Sequence, residues 1–572
     1  MDQKRLFLAI AISLAILLGF QFLIPHPTPH PPPVTTHQAT TTPVKPVAPT
    51  AVPDAAAAVA REAPRVKIDA PRVTGSISLV GARLDSLELD DYRETLAKNS
   101  PLVRLLAPRQ DPQPTYVQFG WTGEGGLKVP DQNTLWTASA TTLTRAQPVT
   151  LRWDNGAGVI FEITYSIDDN YMVHAEQLVH NQSAAPITVH PWSRVRRDYT
   201  PETGGYSVLH EGLIGWVGGR LHDVTYSSAK SEGGKHEGIA FQGSGTGGWA
   251  GFTDKYWLIA VVPDQTIATT TTFRYLEEPG GAAYQVDTVT DKAEAVPPQG
   301  EAKAASRAFV GAKEVHLLNQ YEEKDGISHF SYAIDWGWFW FLTKPIYYAL
   351  DWLNAVLGNF GLAIMAFTIA VKALFFPLAN YSYRSMSKMK LLAPKMQALR
   401  EQYKDDQGKL QQQIMGLYKA EGVNPASGCL PMIVQIPVFF SLYKVIFINI
   451  EMRHAPFFGW IRDLSAIDPT NVFNLFGLIP FDPTTISPFL HLGLWPLIMG
   501  VTMWGQQKLN PPPPDPMQAK LFQFMPVIFT FMLARFPAGL VIYWTWNNLL
   551  TIGQQWLIMR QTRLARPNLA RT

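Results

Sequence analysis

Hydrophobic and polar positions divide this chain into two parts with different periods. In "GSISLVGARLDSLEL", "TYVQFGW", "VTLRWDN", "GVIFEITYSID" and "PITVHPW" apolar and polar residues alternate, or the run is β-branched, as in half-buried strands. Turn residues such as Asp154-Asn155-Gly156 separate them, and Gly247–Pro263 ("GGWAGFTDKYWLIAVVP") reads as a buried aromatic strand pair. No helix-length pattern interrupts them until about Ala302, so an all-β sandwich over 73–334 is expected. Beyond it the alternation gives way to long apolar runs near 357–379, 428–449, 486–506, 521–536 and 538–558, each close to the length a bilayer requires.

The N-terminus carries a similar run. Lys4 and Arg5 precede the apolar stretch Leu6–Ile24, which is too long for a signal-peptide core and lacks a small-residue cleavage site, so an uncleaved anchor is expected. Residues 25–72 are rich in Pro, Thr and Ala and read as an extended tether. In "DWGWFWFLTKPIYYALDW" the tryptophans and tyrosines suit the headgroup level, so 335–356 reads as an amphipathic interfacial helix. Basic residues crowd the loop 384–422 and the tail 559–572, while the loop 451–485 balances Arg453 and Arg462 with acids. The excess of Lys and Arg puts both termini in the cytoplasm and the β domain outside. Val472–Phe481 is too short to span and is expected at the outer interface.

The expected organisation is therefore an anchor at 1–24, a tether at 25–72, the β domain at 73–334 and the interfacial helix at 335–356. A second span at 357–379, a helical hairpin at 384–422, spans three to six within 428–558 and the basic tail at 559–572 follow. In the hairpin, Met386, Met389, Leu391, Met396 and Leu399 lie among basic residues. They would either grip apolar segments of partners or pack the hairpin together.

Composition changes this picture little. Hydrophobic residues are 47%, charged residues 16% and the net charge +2, averages that blend a polar and an apolar half. The single cysteine, Cys429, excludes an intramolecular disulfide and any paired-cysteine metal site, and reads as a small core residue. His174, Glu176, His180, His210 and Glu211 lie among the strands without a repeating spacing, and read as solvated or satisfied side chains rather than a catalytic set.

The chemistry that needs explaining is inside the spans. Lys372 sits in a run where an ammonium costs roughly 3 kcal/mol to insert. Gly361, Met365, Thr368 and Lys372 share one helical face. Gln435 and Ser441 lie in the third span, and Tyr543, Trp544, Thr545, Asn547 and Asn548 in the last. Gln435 and the asparagines could be interhelical hydrogen-bond partners only. No Asp or Glu lies within these spans to neutralise Lys372, which therefore needs water and a hydrated cavity. Lys444 and Arg535 lie near outer ends and can snorkel. The spans hold no acidic relay, internal repeat, paired carboxylate, Ser/His pair or metal motif, which argues against a proton-coupled transporter and an intramembrane protease, and a channel would need a ring of such groups and hence several subunits; neither an enzymatic activity nor a cofactor is expected. What remains is a site that receives something polar and transient.

The stretches "TIAVKALFFPL", "SMSKMKLLAPKMQALRE", "LYKAEGVNPASGCLPMIVQIPVF", "WIRDLSAIDP", "DPMQAKLFQFMPVIFTFMLARFPAGLVIYW" and "NNLLTIGQQW" resemble the YidC/Oxa/Alb family of membrane protein insertases, in its Gram-negative form. The resemblance covers nearly the whole chain. It implies a mixed fold: a polytopic α-helical membrane core, made of a five-helix insertase bundle plus the N-terminal anchor span, carrying a periplasmic all-β super-sandwich. It implies insertion and folding of inner-membrane proteins, alone or beside the Sec translocon, through a hydrophilic groove open to the cytoplasm and lipid. The implied partners are nascent membrane proteins, the translocon with its SecD/SecF subunits, the ribosome, the signal recognition particle pathway and membrane lipids. Carried onto this sequence, the resemblance implies groove positions at Lys372, Thr368, Tyr543 and Trp544; Gln435 and Asn547, polar residues of the spans, complete the expected groove. Lys372 stands where the family usually has Arg, and Trp544 where Tyr is commoner. An alternative is a membrane-anchored periplasmic carbohydrate-binding protein, which deletion of about residues 30–300 would disable and an insertase would survive.

Overall fold

The structure is a computed structural model that describes residues 64–203, 209–404, 406–422, 430–487, 490–510 and 516–564. The expected anchor, most of the tether, Cys429 and the end of the tail lie outside the described residues.

Residues from Arg65 to Ala312 form two facing sheets. In one, neighbouring strands run Ile239–Thr246, Ala268–Glu278, Gly281–Thr290, Ile187–Arg197, Thr115–Gly123, Arg83–Arg93, Val73–Ser78, Arg65–Asp69 and Thr142–Thr144. In the other they run Arg220–Thr225, Gly212–Val217, Trp249–Thr253, Trp257–Pro263, Gly300–Ala312, Met172–Asn181, Val159–Ile167, Val149–Asp154 and Thr137–Ala138. Along Val159–Ile167 the alternation does its work: Phe161, Ile163 and Tyr165 are buried while Glu162, Thr164 and Ser166 point outward. Across the sandwich Trp121 meets Phe161 at 5.1 Å and Phe119 meets Tyr165 at 6.0 Å between ring centroids. Two polar groups that this packing buries reach across it: the Tyr165 hydroxyl donates to the Ala82 carbonyl (3.1 Å) and the Gln177 amide N–H to that of Gly120 (2.7 Å), while Gln177 Oε1 meets no partner among the described residues.

Two expectations need correction. The sandwich begins at Arg65, inside the stretch read as tether. Arg65–Asp69 pairs with Val73–Ser78 and, in parallel, with Thr142–Thr144, and buries Val66 and Ile68. A five-residue alternation beside a long Pro/Ala tract is too short to register in composition. A helix also interrupts the strands: α1 (Tyr226–Gly233), whose N-cap Thr225 accepts from the Ser228 amide at 3.1 Å. Ala302, where a helix was expected to open, lies in a strand; α2 begins at Val315 and ends at Lys324.

The helical part comprises α3 (Trp340–Leu357), α4 (Phe360–Leu374), α5 (Phe376–Gln402), α6 (Gln407–Ala420), α7 (Leu430–Ile448), α8 (Leu494–Leu509), α9 (Pro516–Leu533) and α10 (Ala538–Leu564). Helix α3 buries Ile346, Tyr347 and Leu350 and exposes Trp340, Phe341, Tyr348 and Trp352, the amphipathic aromatic face read from the sequence. It stops where Gly358 takes a left-handed φ of 66°, and Asn359 caps α4 by accepting from the Leu362 amide at 3.1 Å.

The expected second span is broken. Helices α4 and α5 meet at Phe375 with a bend of 68°. Pro377 supplies the cause: it lacks the N–H for its fourth-previous carbonyl and its ring crowds that turn. At 15 residues α4 is about 22 Å long, short of the roughly 30 Å hydrocarbon core. Among the described residues no single helix is long and apolar enough to cross a membrane, whereas the bent pair α4–α5 together has the length and composition to do so. The span expected from 486 begins only at Leu494. Between α7 and α8, Val472–Gly477 is a short 3-10 segment that leaves Phe473, Leu475 and Phe476 exposed.

The hairpin is α5 running into α6. Met389 and Met396 pack with Leu392, Ile414, Leu417 and Tyr418, and the Tyr418 hydroxyl reaches the Met396 sulfur at 3.3 Å. Met386 turns instead to Ala379, Tyr383 and Ile558. These methionines hold the hairpin together, while Leu391 and Met415 stay exposed.

Lys444, expected to snorkel, does not. It is 5% exposed and donates to the Asp335 carboxylate at 2.6 Å. The partner sits 109 residues earlier, where inspection of the span alone finds no acid.

Candidate functional site

Helices α4, α5, α7 and α10 flank a narrow cleft lined by Val371, Lys372, Phe375, Leu378, Ala379, Tyr383, Val434, Gln435, Val438 and Gln554. The bend at Phe375 creates it. A straight helix would carry Leu378 and Ala379 on along the axis of α4; the bent one brings them round to face Gln435 and Gln554. The wall is apolar except for an ammonium, two amides and a phenol.

Lys372 donates to the Thr551 hydroxyl on α10 at 2.8 Å. Thr551 in turn donates to the Asn547 carbonyl at 2.7 Å, the usual back-bond of a helical threonine. An ammonium has three N–H groups, and this contact uses one, leaving donors for water or a guest in the cleft. On the facing wall Gln435 donates to the Tyr543 hydroxyl at 2.6 Å.

Of the residues expected to form a groove, Lys372 and Gln435 line the cleft, and Tyr543, 3% exposed, stands one hydrogen bond behind Gln435. Thr368 is 2% exposed and donates to its own helix at Ile364, 2.6 Å away. Trp544 packs on Phe439 (4.5 Å) and Phe529 (6.2 Å), beside Met499, Leu533 and Val541. Asn547 is buried, and its side-chain oxygen meets no hydrogen-bond partner among the described residues. The expected shared face of α4 is used for packing at its far end: a Cβ on Gly361 would lie 2.1 Å from the Phe457 ring, so only glycine admits this approach.

Thr551, Gln554 and Tyr383 were missed. The signal was present, because Tyr543, Asn547, Thr551 and Gln554 follow helical spacing along α10. Tyr383 could not be found this way, since it reaches the cleft only through the bend.

The histidines and glutamates singled out in the sandwich meet ordinary polar partners. Glu176 pairs with Lys303 at 2.6 Å, His180 lies 3.5 Å from Glu301, and the His210 ring contacts the Leu213 carbonyl at 3.0 Å. His174 and Glu176 lie on the wall of a broad open groove with Asp168, Arg307 and Asp325. Burial, then the Arg307 charge, hold the His174 imidazole below its ordinary range. Among the described residues no group of three or more His, Cys, Asp or Glu could hold a metal ion.

Known proteins match both the β sandwich and the helical region that follows it. Residues 65–349 match the family model described as the YidC periplasmic domain, and 352–565 the model described as the 60Kd inner membrane protein. The class is thus an inner-membrane protein with a periplasmic β domain. A membrane protein insertase YidC from Granulibacter bethesdensis is 59% identical over the full length of both chains. Another from Acidiphilium cryptum is 56% identical, covering 88% of this chain and 85% of its own. A solved YidC insertase structure is 19% identical, covers 86% of this chain and 92% of that one, and superposes with a TM-score of 0.37. The chain belongs to the YidC family of membrane protein insertases, and its function is membrane protein insertion. Its relatives are named as insertases, not as enzymes.

Proposed function

We propose that the cleft is the receiving site of the insertase: a polar or acidic segment of a nascent membrane protein enters it transiently from the cytoplasm on its way into lipid. The observation that carries this reading is the Lys372 ammonium at the cleft wall, tied to Thr551 by a single hydrogen bond at 2.8 Å. A charge in an apolar bundle, with no carboxylate partner among the described residues, reads by default as part of a functional site. Gln435 and Tyr543 supply hydrogen bonds along the opposite wall, and Thr368, Trp544 and Asn547 support the helices that bear them.

In this reading the chain crosses the inner membrane six times with both termini in the cytoplasm. The basic residues of 384–422 and 559–572 support that orientation. The hairpin α5–α6, with Leu391 and Met415 exposed among lysines and arginines, is a docking surface for the ribosome and the signal recognition particle pathway. The Sec translocon and its SecD/SecF subunits are partners for the substrates inserted jointly, and membrane lipids border the open side of the cleft.

The test is site-specific photo-crosslinking to stalled nascent chains. A photoreactive residue at Gln435 should capture the chain, and one at Ile369, 49% exposed on the outside of α4, should capture lipid instead. Equal capture of nascent chain at both positions would overturn the reading.

A further inference from the structure

Helix α7 carries two polar side chains that face opposite ways. Gln435 lines the cleft, and Lys444 lies nine residues on, which on an α-helix is half a turn away in rotation and about 13 Å along the axis. Lys444 is buried and donates to Asp335 Oδ2 at 2.6 Å. Asp335 is itself held by the sandwich and by its own loop: Oδ2 accepts the His210 backbone N–H at 3.2 Å, and Oδ1 that of Gly337 at 3.0 Å. Three donors thus converge on one carboxylate. Burial alone would raise its pKa, but the Lys444 charge and these hydrogen bonds keep it below the ordinary range. The lysine stem lies along the bare backbone of Gly337, where φ is +70° and a Cβ would sit 3.4 Å from the Lys444 Cε.

We propose that the Asp335–Lys444 ion pair is a positioning device for the cleft, setting the rotation and height of α7 and hence the place of Gln435. This rests on the cleft reading above. The pair is well suited to the task. An apolar contact is nearly indifferent to a small slide or rotation of a helix, whereas a short charged hydrogen bond is directional. Because the carboxylate is fixed from the sandwich side, the β domain serves as the reference against which α7 is set. Lys444 and Asp335 touch no part of the cleft, so they act through Gln435 and not on the substrate.

The experiment uses the full-length chain in native membrane vesicles with Cys429→Ala. Gln435→Cys and Tyr543→Cys place a thiol pair across the observed contact, and a short thiol crosslinker reads their register. Insertion is measured separately on the same charge variants without the added cysteines. Lys444→Met and Asp335→Asn should each lower the crosslink yield several-fold and slow insertion, while Lys444→Arg should retain both. The double variant Asp335→Asn/Lys444→Met guards against simple misfolding, because neutralising both partners removes the unpaired buried charge and should restore protein level. It should nevertheless keep the low crosslink yield. Restoration of both level and yield would show that the pair only stabilises the fold, and an unchanged yield in every variant would likewise overturn the proposal. A lowered yield with normal insertion would instead overturn the cleft reading on which it rests.

Discussion

Replacing Lys372 with methionine should make the protein no less stable and a poorer insertase, selectively for acidic substrates. Methionine is an unbranched side chain one atom shorter and removes the charge. The change relieves an insertion penalty of roughly 3 kcal/mol. It loses one charged hydrogen bond, worth about 1.5–3 kcal/mol, to Thr551. Thr551 is not orphaned, because its hydroxyl still donates to the Asn547 carbonyl. The two terms nearly cancel, so melting in detergent should stay level or rise. Function moves the other way. An ammonium and a carboxylate at about 4 Å attract by about 4 kcal/mol at an effective dielectric near 20. Water in the cleft reduces this, and if a quarter to a half survives, about 1–2 kcal/mol remains, or roughly 5–30-fold in rate. The assay is insertion into proteoliposomes of two single-span substrates whose translocated tails differ only in Asp/Glu against Asn/Gln, read by protease protection. The acidic substrate should slow by that factor and the neutral one hardly at all, with Lys372→Arg close to wild type. Equal slowing of both substrates, or none, in a protein that melts normally would refute the argument.

Three further outcomes are expected. At the edge of the helical region, burial and then the neighbouring Asp351 push the Glu451 carboxyl up to about 7, so the folded chain holds this proton more tightly than the unfolded one. The stability it contributes is full below about pH 4 and is lost as pH rises through about 7; Glu451→Gln should flatten that loss in melts compared at about pH 5 and about pH 8, and an unchanged slope would exclude Glu451 as its source. Phe161→Ala, in the sandwich core, should destabilise the β domain by about 3–5 kcal/mol, measured by denaturant unfolding of the sandwich; a loss under about 1 kcal/mol would contradict the packing described. A Gly/Ser linker in place of residues 25–63 should leave insertion unchanged, but extending the replacement through Asp69 removes a paired strand and should lower the melting temperature; equal behaviour of the two replacements would contradict the pairing of Arg65–Asp69.

Much of this protein is local and therefore legible in the sequence. The alternation in "GVIFEITYSID" dictates a strand with one buried face, because successive side chains of an extended chain point to opposite sides. The aromatic face of α3 and its stop at Gly358 follow likewise from helical spacing and from the left-handed turn that glycine allows. The oddity of Lys372 is visible without coordinates, since an ammonium in an apolar run demands an explanation wherever it lies.

Only the tertiary structure decided which groups meet. Lys372 finds Thr551 across 179 residues, Gln435 finds Tyr543 across 108, and Lys444 finds Asp335 across 109. No periodicity encodes such pairings, because they depend on how helices pack. The same holds for the cleft, which exists because α4 and α5 part at Phe375 by 68°. Pro377 announces a break in the sequence, but not its direction. That direction follows from where Tyr383 and Ala379 find apolar cover, against Ile558 of α10, a residue the chain reaches only near its end.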